Sequence, residues 1–248
     1  MSNLKVWVSV PTYNEIDNIE PLVRQLRDAM PSVHILVVDD NSPDGTAGKA
    51  QALGAELGDI EVLQRPKKMG LGSAYRAGHA IGIARGYDVM IQIDADLSHD
   101  PADVPRLVAA VERGADLAIG SRYVPGGSVP NWPKRRLALS YWGNRYAAFC
   151  LGVPIRDTTA GYRAYRASIL EAIDFAGTHS TGYGFQIEMT YRVACADGTI
   201  EEVPIAFTDR VRGSSKMSWR IVAEAMLLVT WWGFRDRVLR RRRRRAAS

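Results

Sequence analysis

Two aspartates separated by one residue, Asp94-Ala95-Asp96, close the apolar run Val89 to Ile93. Carboxylates at that spacing can both reach one hard cation where the chain bends, and Mg²⁺ or Mn²⁺ suits their oxygen ligands. A cation held there would bridge two neighbouring phosphates and neutralise the charge growing on a departing diphosphate. The same pair would equally serve as caps for a helix starting near Pro101. Asp-x-Asp alone does not choose between these readings.

Other polar clusters stand in the same kind of place. Asp39-Asp40 ends the run Ile35 to Val38 and is followed by Asn41-Ser42-Pro43-Asp44-Gly45-Thr46, a turn leading into a helix start. A carboxylate there can accept hydrogen bonds from a nucleobase, with Asp44 and Thr46 reading as turn and capping residues. Pro11-Thr12-Tyr13-Asn14-Glu15 follows Val6 to Val10; Tyr13 offers a flat stacking face and Glu15 an acceptor for a base or ribose, or Asn14 and Asp17 simply cap a helix. Ser121-Arg122-Tyr123 follows Leu117 to Gly120. Arginine gives permanently charged, bidentate phosphate recognition and lysine a mobile point charge. Arg210 and Lys216 flank a Gly-Ser-Ser stretch suited to closing over a ligand. Arg135 and Arg136, beside Leu137, Tyr141 and Trp142, suit either the head of a phosphorylated lipid or an ordinary amphipathic surface helix. Glu188, on a helical segment, reads as structural, and His99 receives no role.

The elements that must position these groups alternate in type. Strand-like runs at Val6 to Val10, Ile35 to Val38, Ile60 to Leu63, Val89 to Ile93 and Leu117 to Gly120 are separated by helical spacing, as at Ile19, Leu22, Val23 and Leu26. Helices are expected at Leu71 to Arg85, Pro101 to Arg113, Lys134 to Leu151 and Phe185 to Ala196, with a loop at Val124 to Pro133 and a further strand at Ile200 to Phe207. This is α/β grammar, with five strands in a mostly parallel sheet. Runs that are apolar throughout, such as Ile35-Leu36-Val37-Val38, are expected where helices cover both faces. Ligands of such sheets sit beyond the carboxyl ends of the strands, so the polar clusters should converge on one rim.

Composition narrows the class. The chain has 248 residues, 46% hydrophobic and 24% charged, enough for one large core. Its formal charge of +5 is smaller than the six positive charges of Arg240 to Arg245, so the body is close to neutral and does not read as a nucleic-acid-binding surface. Cys150 and Cys195 imply neither a disulfide framework nor a cysteine-based zinc site. No signal peptide is expected, and the longest apolar stretch, Ile221 to Phe234, falls short of the roughly 20 residues that cross a bilayer.

Taken together, Pro11 to Glu15, Val38 to Thr46, Gly70-Leu71-Gly72, Asp94 to His99, Gly120 to Tyr123 and Asp209 to Lys216 resemble the family 2 nucleotide-diphospho-sugar glycosyltransferases, and more narrowly the dolichol- or polyprenol-phosphate mannosyltransferases. The resemblance implies a GT-A fold. It implies that Pro11, Tyr13, Glu15, Val38 and Asp40 line the nucleotide site, with Asp94, Ala95 and Asp96 at the diphosphate and a Mg²⁺ or Mn²⁺ ion. Arg122, Arg210 and Lys216 would contact donor or acceptor phosphates, and Arg136 with Arg122 the acceptor phosphate. Some relatives carry glutamine as a metal ligand where this chain has the shorter Ser98. The donor implied is GDP-mannose and the acceptor a polyprenyl phosphate, joined with inversion. A phosphate acceptor is largely dianionic at neutral pH, its second pKa lying near about 6, and so needs no general base.

The expected organisation is a catalytic domain over 1–216 and a C-terminal segment over 217–248. In that segment Ile221, Val222, Ala225, Met226, Leu228, Val229 and Trp232 form an apolar face followed by the arginine run. This suits an interfacial helix with a polybasic extension on the cytoplasmic face of a membrane. A core helix with a solvated tail, or docking onto an integral membrane partner, fits the same pattern.

Overall fold

The structure is a computed structural model and describes residues 4–178, 180, 182–209 and 226–235. Elements alternate as β1 (Val6–Thr12), α1 (Ile19–Ala29), β2 (His34–Asp39), α2 (Thr46–Leu57), β3 (Ile60–Gln64), α3 (Leu71–Ala84) and β4 (Val89–Gln92). They continue as α4 (Val104–Glu112), β5 (Leu117–Ser121), α5 (Lys134–Leu151), β6 (Arg163–Arg166), α6 (Ala167–Ala172), α7 (Gly182–Cys195) and β7 (Ile200–Pro204). The five expected strands are β1 to β5, and the strand expected from Ile200 is β7, which stops three residues early. The sheet nevertheless has seven strands, in the order β3-β2-β1-β4-β6-β5-β7.

The addition is β6, inserted antiparallel between β4 and β5. Its sequence, Arg163-Ala164-Tyr165-Arg166, shows no apolar run, yet Arg163, Ala164 and Tyr165 are fully buried. Arg163 solvates its own charge by donating to the carbonyls of Ala160, Thr158 and Gln186 and to the Tyr165 hydroxyl. A buried cation satisfied by carbonyls is invisible to hydrophobic periodicity.

Apolar side chains fill both faces of the sheet, as the unbroken runs require. One face buries Val8, Val10, Ile35 and Val37 beneath α1, α2 and α4; the other buries Trp7, Leu36, Val38 and Met90 beneath α3, α6 and α7. Helix α3 lies unusually close. A methyl group at Gly78 would fall 2.5 Å from Ser9 Oγ, and one at Gly82 would fall 2.7 Å from the Trp7 ring. Only glycine permits that approach, which carries the first turns of α3 to the rim.

The 226–235 helix packs through Val229 and Trp232 against α5 and α7. Tyr146 and Thr230 share a hydrogen bond of 2.8 Å, and Trp232 stacks on Tyr191 at 5.9 Å. No described helix is long and apolar enough to cross a membrane.

His79 on α3 is buried against Ser9 Oγ at 3.2 Å, and burial pushes its imidazole down to about 3 from 6.5. It is neutral in the fold, while the unfolded chain takes up a proton below 6.5. Stability from this residue is complete above that pH and is lost as pH falls towards 3. In denaturant titrations, the stability advantage over His79→Gln should shrink by about 1.4 kcal/mol per pH unit between pH 6 and pH 4. A constant gap would show that the imidazole titrates normally in the fold.

Candidate active site

The carboxyl ends of β1 and β2 are knitted together before any ligand arrives. Asp39 is fully buried and accepts from Thr12 Oγ1 at 2.9 Å, Ser42 N at 2.8 Å and Ser42 Oγ at 2.6 Å. Asn14 and Asn41 turn the chain with φ of 62° and 60°, a left-handed conformation that asparagine tolerates. Asn14 N then donates to Ser42 Oγ, Glu15 N to Thr46 Oγ1 and Ile16 N to Asp44 Oδ2. Asp44 also receives Thr46 N and Thr46 Oγ1, so both act in the turn, as expected.

Pro11, Tyr13, Glu15 and Asp40 lie along this edge, outside the lining of the main cavity. Val38 lies just below it, its side chain fully buried against α3. The Lys68 ammonium sits 4.1 Å over the Tyr13 ring, and Glu15 accepts from Asn18 Nδ2 at 2.8 Å. Asp40 accepts from Arg65 Nε at 2.6 Å and from Met69 N at 3.0 Å; Arg65 in turn donates to Ser73 Oγ on α3. Arg65 follows β3 directly, a strand-end position at which ligand-binding groups of such sheets gather, although the sequence reading did not name it.

The main cavity, about 480 Å³, has Asp94, Asp96, Ser98, Arg122 and Arg136 in its wall. Asp94 Oδ1 accepts from Tyr75 Oη at 2.9 Å, and burial beside Asp94 pushes the Tyr75 phenol well up, which keeps it a donor. Tyr75 is two residues past Ser73, so α3 touches both the Asp40 and the Asp94 clusters. Ser98 N donates to Asp96 Oδ1 at 3.0 Å, across a turn in which Leu97 adopts φ 60°. A leucine in that region is uncommon and marks a held bend. The short helical turn Pro101–Asp103 is capped by Asp100, which accepts from Ala102 N at 2.9 Å. Asp94 and Asp96 are therefore not helix caps.

The donor set suits a hard cation. Mg²⁺ characteristically takes one or two carboxylates and completes its shell with phosphate oxygens and water. Asp94 and Asp96 supply the two carboxylates, and Ser98 Oγ is buried with no hydrogen-bond partner among the described residues. No group of three His, Cys, Asp or Glu side chains stands ready for a metal among those residues.

Arg122, just beyond β5, is locked to the fully buried Asp157: Nε to Oδ2 and Nη2 to Oδ1, each at 2.7 Å, with its own N–H donating to Oδ2 at 3.0 Å. Nη2 also reaches Thr159 Oγ1 at 3.0 Å. Thr159 Oγ1 accepts from Asn144 on α5, whose Oδ1 accepts from Thr158 Oγ1 and Thr159 N. Glu202 on β7 receives the N–H groups of Arg156 and Asp157. Arg136 lies 3.8 Å over the Trp132 ring and pairs with Asp209 at 2.7 Å. Arg210 and Lys216 lie outside the described residues. Asp157, Asn144, Tyr75 and Arg65 were not singled out by sequence reasoning; of these only Arg65 had a positional signal.

The same cavity is also walled by Leu139, Ala147, Ile187, Met226 and Val229 from α5, α7 and the 226–235 helix. It combines carboxylates and guanidinium groups with an apolar trough. Glu188 faces away from it, accepting from Ser180 N and Arg192 Nε.

The family model for glycosyl transferase family 2 matches residues 7–174. A polyprenol monophosphomannose synthase of Mycolicibacterium smegmatis is 52% identical, covering 96% of this chain and 90% of the relative. An undecaprenyl-phosphate mannosyltransferase of Micrococcus luteus is 51% identical, covering 94% and 96%. Among solved structures, glucosyl-3-phosphoglycerate synthase from Mycobacterium tuberculosis, in complex with Mn²⁺, UDP and phosphoglyceric acid, superposes with a TM-score of 0.66 at 20% identity, covering 92% of this chain and 76% of that one. The fold is thus the GT-A type, with a mixed rather than wholly parallel sheet.

The Arg122–Asp157 pair gives the site its first test. Asp157→Asn strands a guanidinium with little solvent, and breaking such a pair costs about 3–5 kcal/mol. The variant should melt well below wild type, and Arg122→Met with Asp157→Asn together should recover part of that loss. A double variant no more stable than Asp157→Asn would contradict a buried pair.

Proposed function

The chain belongs to glycosyl transferase family 2, and from that premise we propose that it moves mannose from GDP-mannose to a polyprenyl phosphate, with inversion at the transferred carbon. It is a glycosyltransferase by kinship with mannosyltransferases over nearly its whole length. The observation that carries the finer reading is the shape of the main cavity. Paired carboxylates and arginines line the same cavity as apolar side chains of three helices, a combination that suits a lipid phosphate beside a nucleotide diphosphate.

Asp94 and Asp96, with Ser98 beside them, would hold a Mg²⁺ or Mn²⁺ ion. When bound, that ion supplies charge neutralisation for the departing diphosphate. Asp40, Glu15 and Tyr13 would orient the base and ribose. Arg122 presents a fixed positive charge to the acceptor phosphate, since Asp157 leaves its guanidinium no freedom to swing. Arg136, and Arg210 and Lys216 from outside the described residues, would complete the phosphate contacts. An acceptor phosphate oxygen forms the new bond to the sugar carbon as the bond to the diphosphate oxygen breaks, and GDP leaves with that electron pair. No proton moves at neutral pH, so the site needs positioning and charge stabilisation rather than a base.

The surroundings of the trough support action at a membrane surface. Trp142 and Phe149 on α5, with Leu227, Trp231 and Phe234 on the 226–235 helix, are exposed large apolar side chains. The sequence then continues into the run Arg240 to Arg245, which would favour an anionic leaflet by about 1 kcal/mol per charge. The enzyme would therefore sit peripherally on the cytoplasmic face.

With Mg²⁺ or Mn²⁺ present, labelled GDP-mannose and a short polyprenyl phosphate should yield a lipid-linked sugar, while UDP-glucose and UDP-N-acetylglucosamine yield little. Asp96→Ala should fold normally and lose about 10²–10³-fold in rate. Lipid product from UDP-glucose alone would overturn the donor, and no lipid product from any donor would overturn the acceptor. In liposome cosedimentation, full-length protein should bind anionic vesicles more strongly than a chain ending at Leu239, with the difference vanishing at high salt. Equal binding at low salt would remove the arginine run from the account.

A further inference from the structure

Gln186 is a buried polar side chain with no hydrogen-bond partner among the described residues. It is 2% exposed, it lies in the wall of the main cavity, and neither its Nε2 nor its Oε1 has a hydrogen-bond partner among the described residues. A buried carboxamide left in that state is costly, and native proteins seldom tolerate it without a use.

Its position is over-determined. The main-chain carbonyl of Gln186 accepts from Arg163 Nη1 at 2.9 Å and from Thr190 Oγ1 at 3.0 Å. The same guanidinium clamps the carbonyls of Thr158 and Ala160, so α7 is registered against the loop leading into β6. Between them lies Gly161. A Cβ there would stand 3.5 Å from Asp94 Oδ2 and 3.9 Å from Gln186 Nε2, so the carboxamide and the candidate metal carboxylate flank one small residue. Glu188, two positions along the helix, is buried against Arg192 and does not line the cavity. Residues two apart on a helix do not share a face, so of these two polar side chains only the glutamine reaches the cavity wall.

We infer that Gln186 recognises the hexose of the sugar nucleotide, its amide donating to one hydroxyl and its carbonyl accepting from a neighbouring one. This rests on the donor reading above. A carboxamide has one donor end and one acceptor end at fixed spacing, which matches vicinal hydroxyls and does not match a phosphate, an acceptor-only group. Asp94 beside it fixes the diphosphate end, so the sugar next to the diphosphate falls within reach of the amide. Sugar hydroxyls would satisfy the two amide atoms that have no partner among the described residues, and a site built to hydrogen-bond a hydroxyl discriminates strongly against ligands lacking it.

Calorimetric titration of the full-length chain in Mn²⁺ tests this, with GDP and GDP-mannose as probes and UDP and UDP-glucose in parallel. Gln186→Met, which conserves volume, should bind GDP within twofold of wild type and GDP-mannose about tenfold more weakly, as loss of one or two neutral hydrogen bonds implies. Gln186→Asn, which withdraws the amide by one methylene, should behave alike and provides a second folded variant. Because the amide has no hydrogen-bond partner among the described residues, Gln186→Met should not melt below wild type, whereas a structural glutamine would. Equal weakening of GDP and GDP-mannose, or no change in either, would overturn the inference. Wild-type protein that binds UDP-glucose but not GDP-mannose would overturn the donor reading, and the Gln186 assignment would then be judged on the UDP pair. Binding of neither sugar nucleotide would overturn both.

Discussion

The ion pair between Arg122 and Asp157 sets the geometry on which the arginine-lined wall of the cavity depends. The carboxylate is wholly buried and the arginine side chain is 8% exposed, so both charges have surrendered most of their water. Coulombic attraction alone does not reliably repay that loss, and a buried pair is weak evidence of stability. Here it fixes direction. Asp157 is itself gripped through its main chain by Glu202, and Arg122 leans on Thr159, which Asn144 ties to α5. The guanidinium is thus held between the sheet and the helix that walls the apolar trough, where the proposed function needs a phosphate contact.

The edge after β1 and β2 is organised by a separate set of carboxylates, and α3 joins it to the cavity. Asp39 is consumed by the turns after β1 and β2, whereas Asp40 is held by Arg65 and the Met69 amide. Arg65 reaches Ser73 and Tyr75 reaches Asp94, both from the opening turns of α3. That helix can stand so near the strands because Gly78 and Gly82 lack side chains. A packing detail at its middle therefore decides how the Asp40 edge and the Asp94–Asp96 carboxylates, proposed to take base and diphosphate, are spaced.

Much of this layout was legible in the chain. Apolar strands ending in polar clusters, together with the rule that ligands gather at strand ends, led to Asp94, Asp96, Asp40 and Arg122 before any coordinates. The structure removed one ambiguity, since Asp100 and not the Asp94–Asp96 pair caps the following turn. What sequence could not supply were partners distant along the chain. Nothing near Asp157 announces that it pairs with a residue 35 positions earlier. Strand β6 was missed because its buried arginine reads as a surface residue, and Gln186 because an inward-facing glutamine on a helix has no periodic signature of its own.

On the proposed function, stabilising the departing diphosphate is the site's chief task and the acceptor phosphate ionises by itself. The most direct measurement is the pH dependence of single-turnover transfer from GDP-mannose to a polyprenyl phosphate and to its phosphonate analogue, whose second ionisation occurs at higher pH. The account predicts that the rate rises through the acceptor's own second pKa, levels off above it, and shifts upward with the phosphonate. A profile whose midpoint is the same for both acceptors would report a base on the enzyme and contradict it.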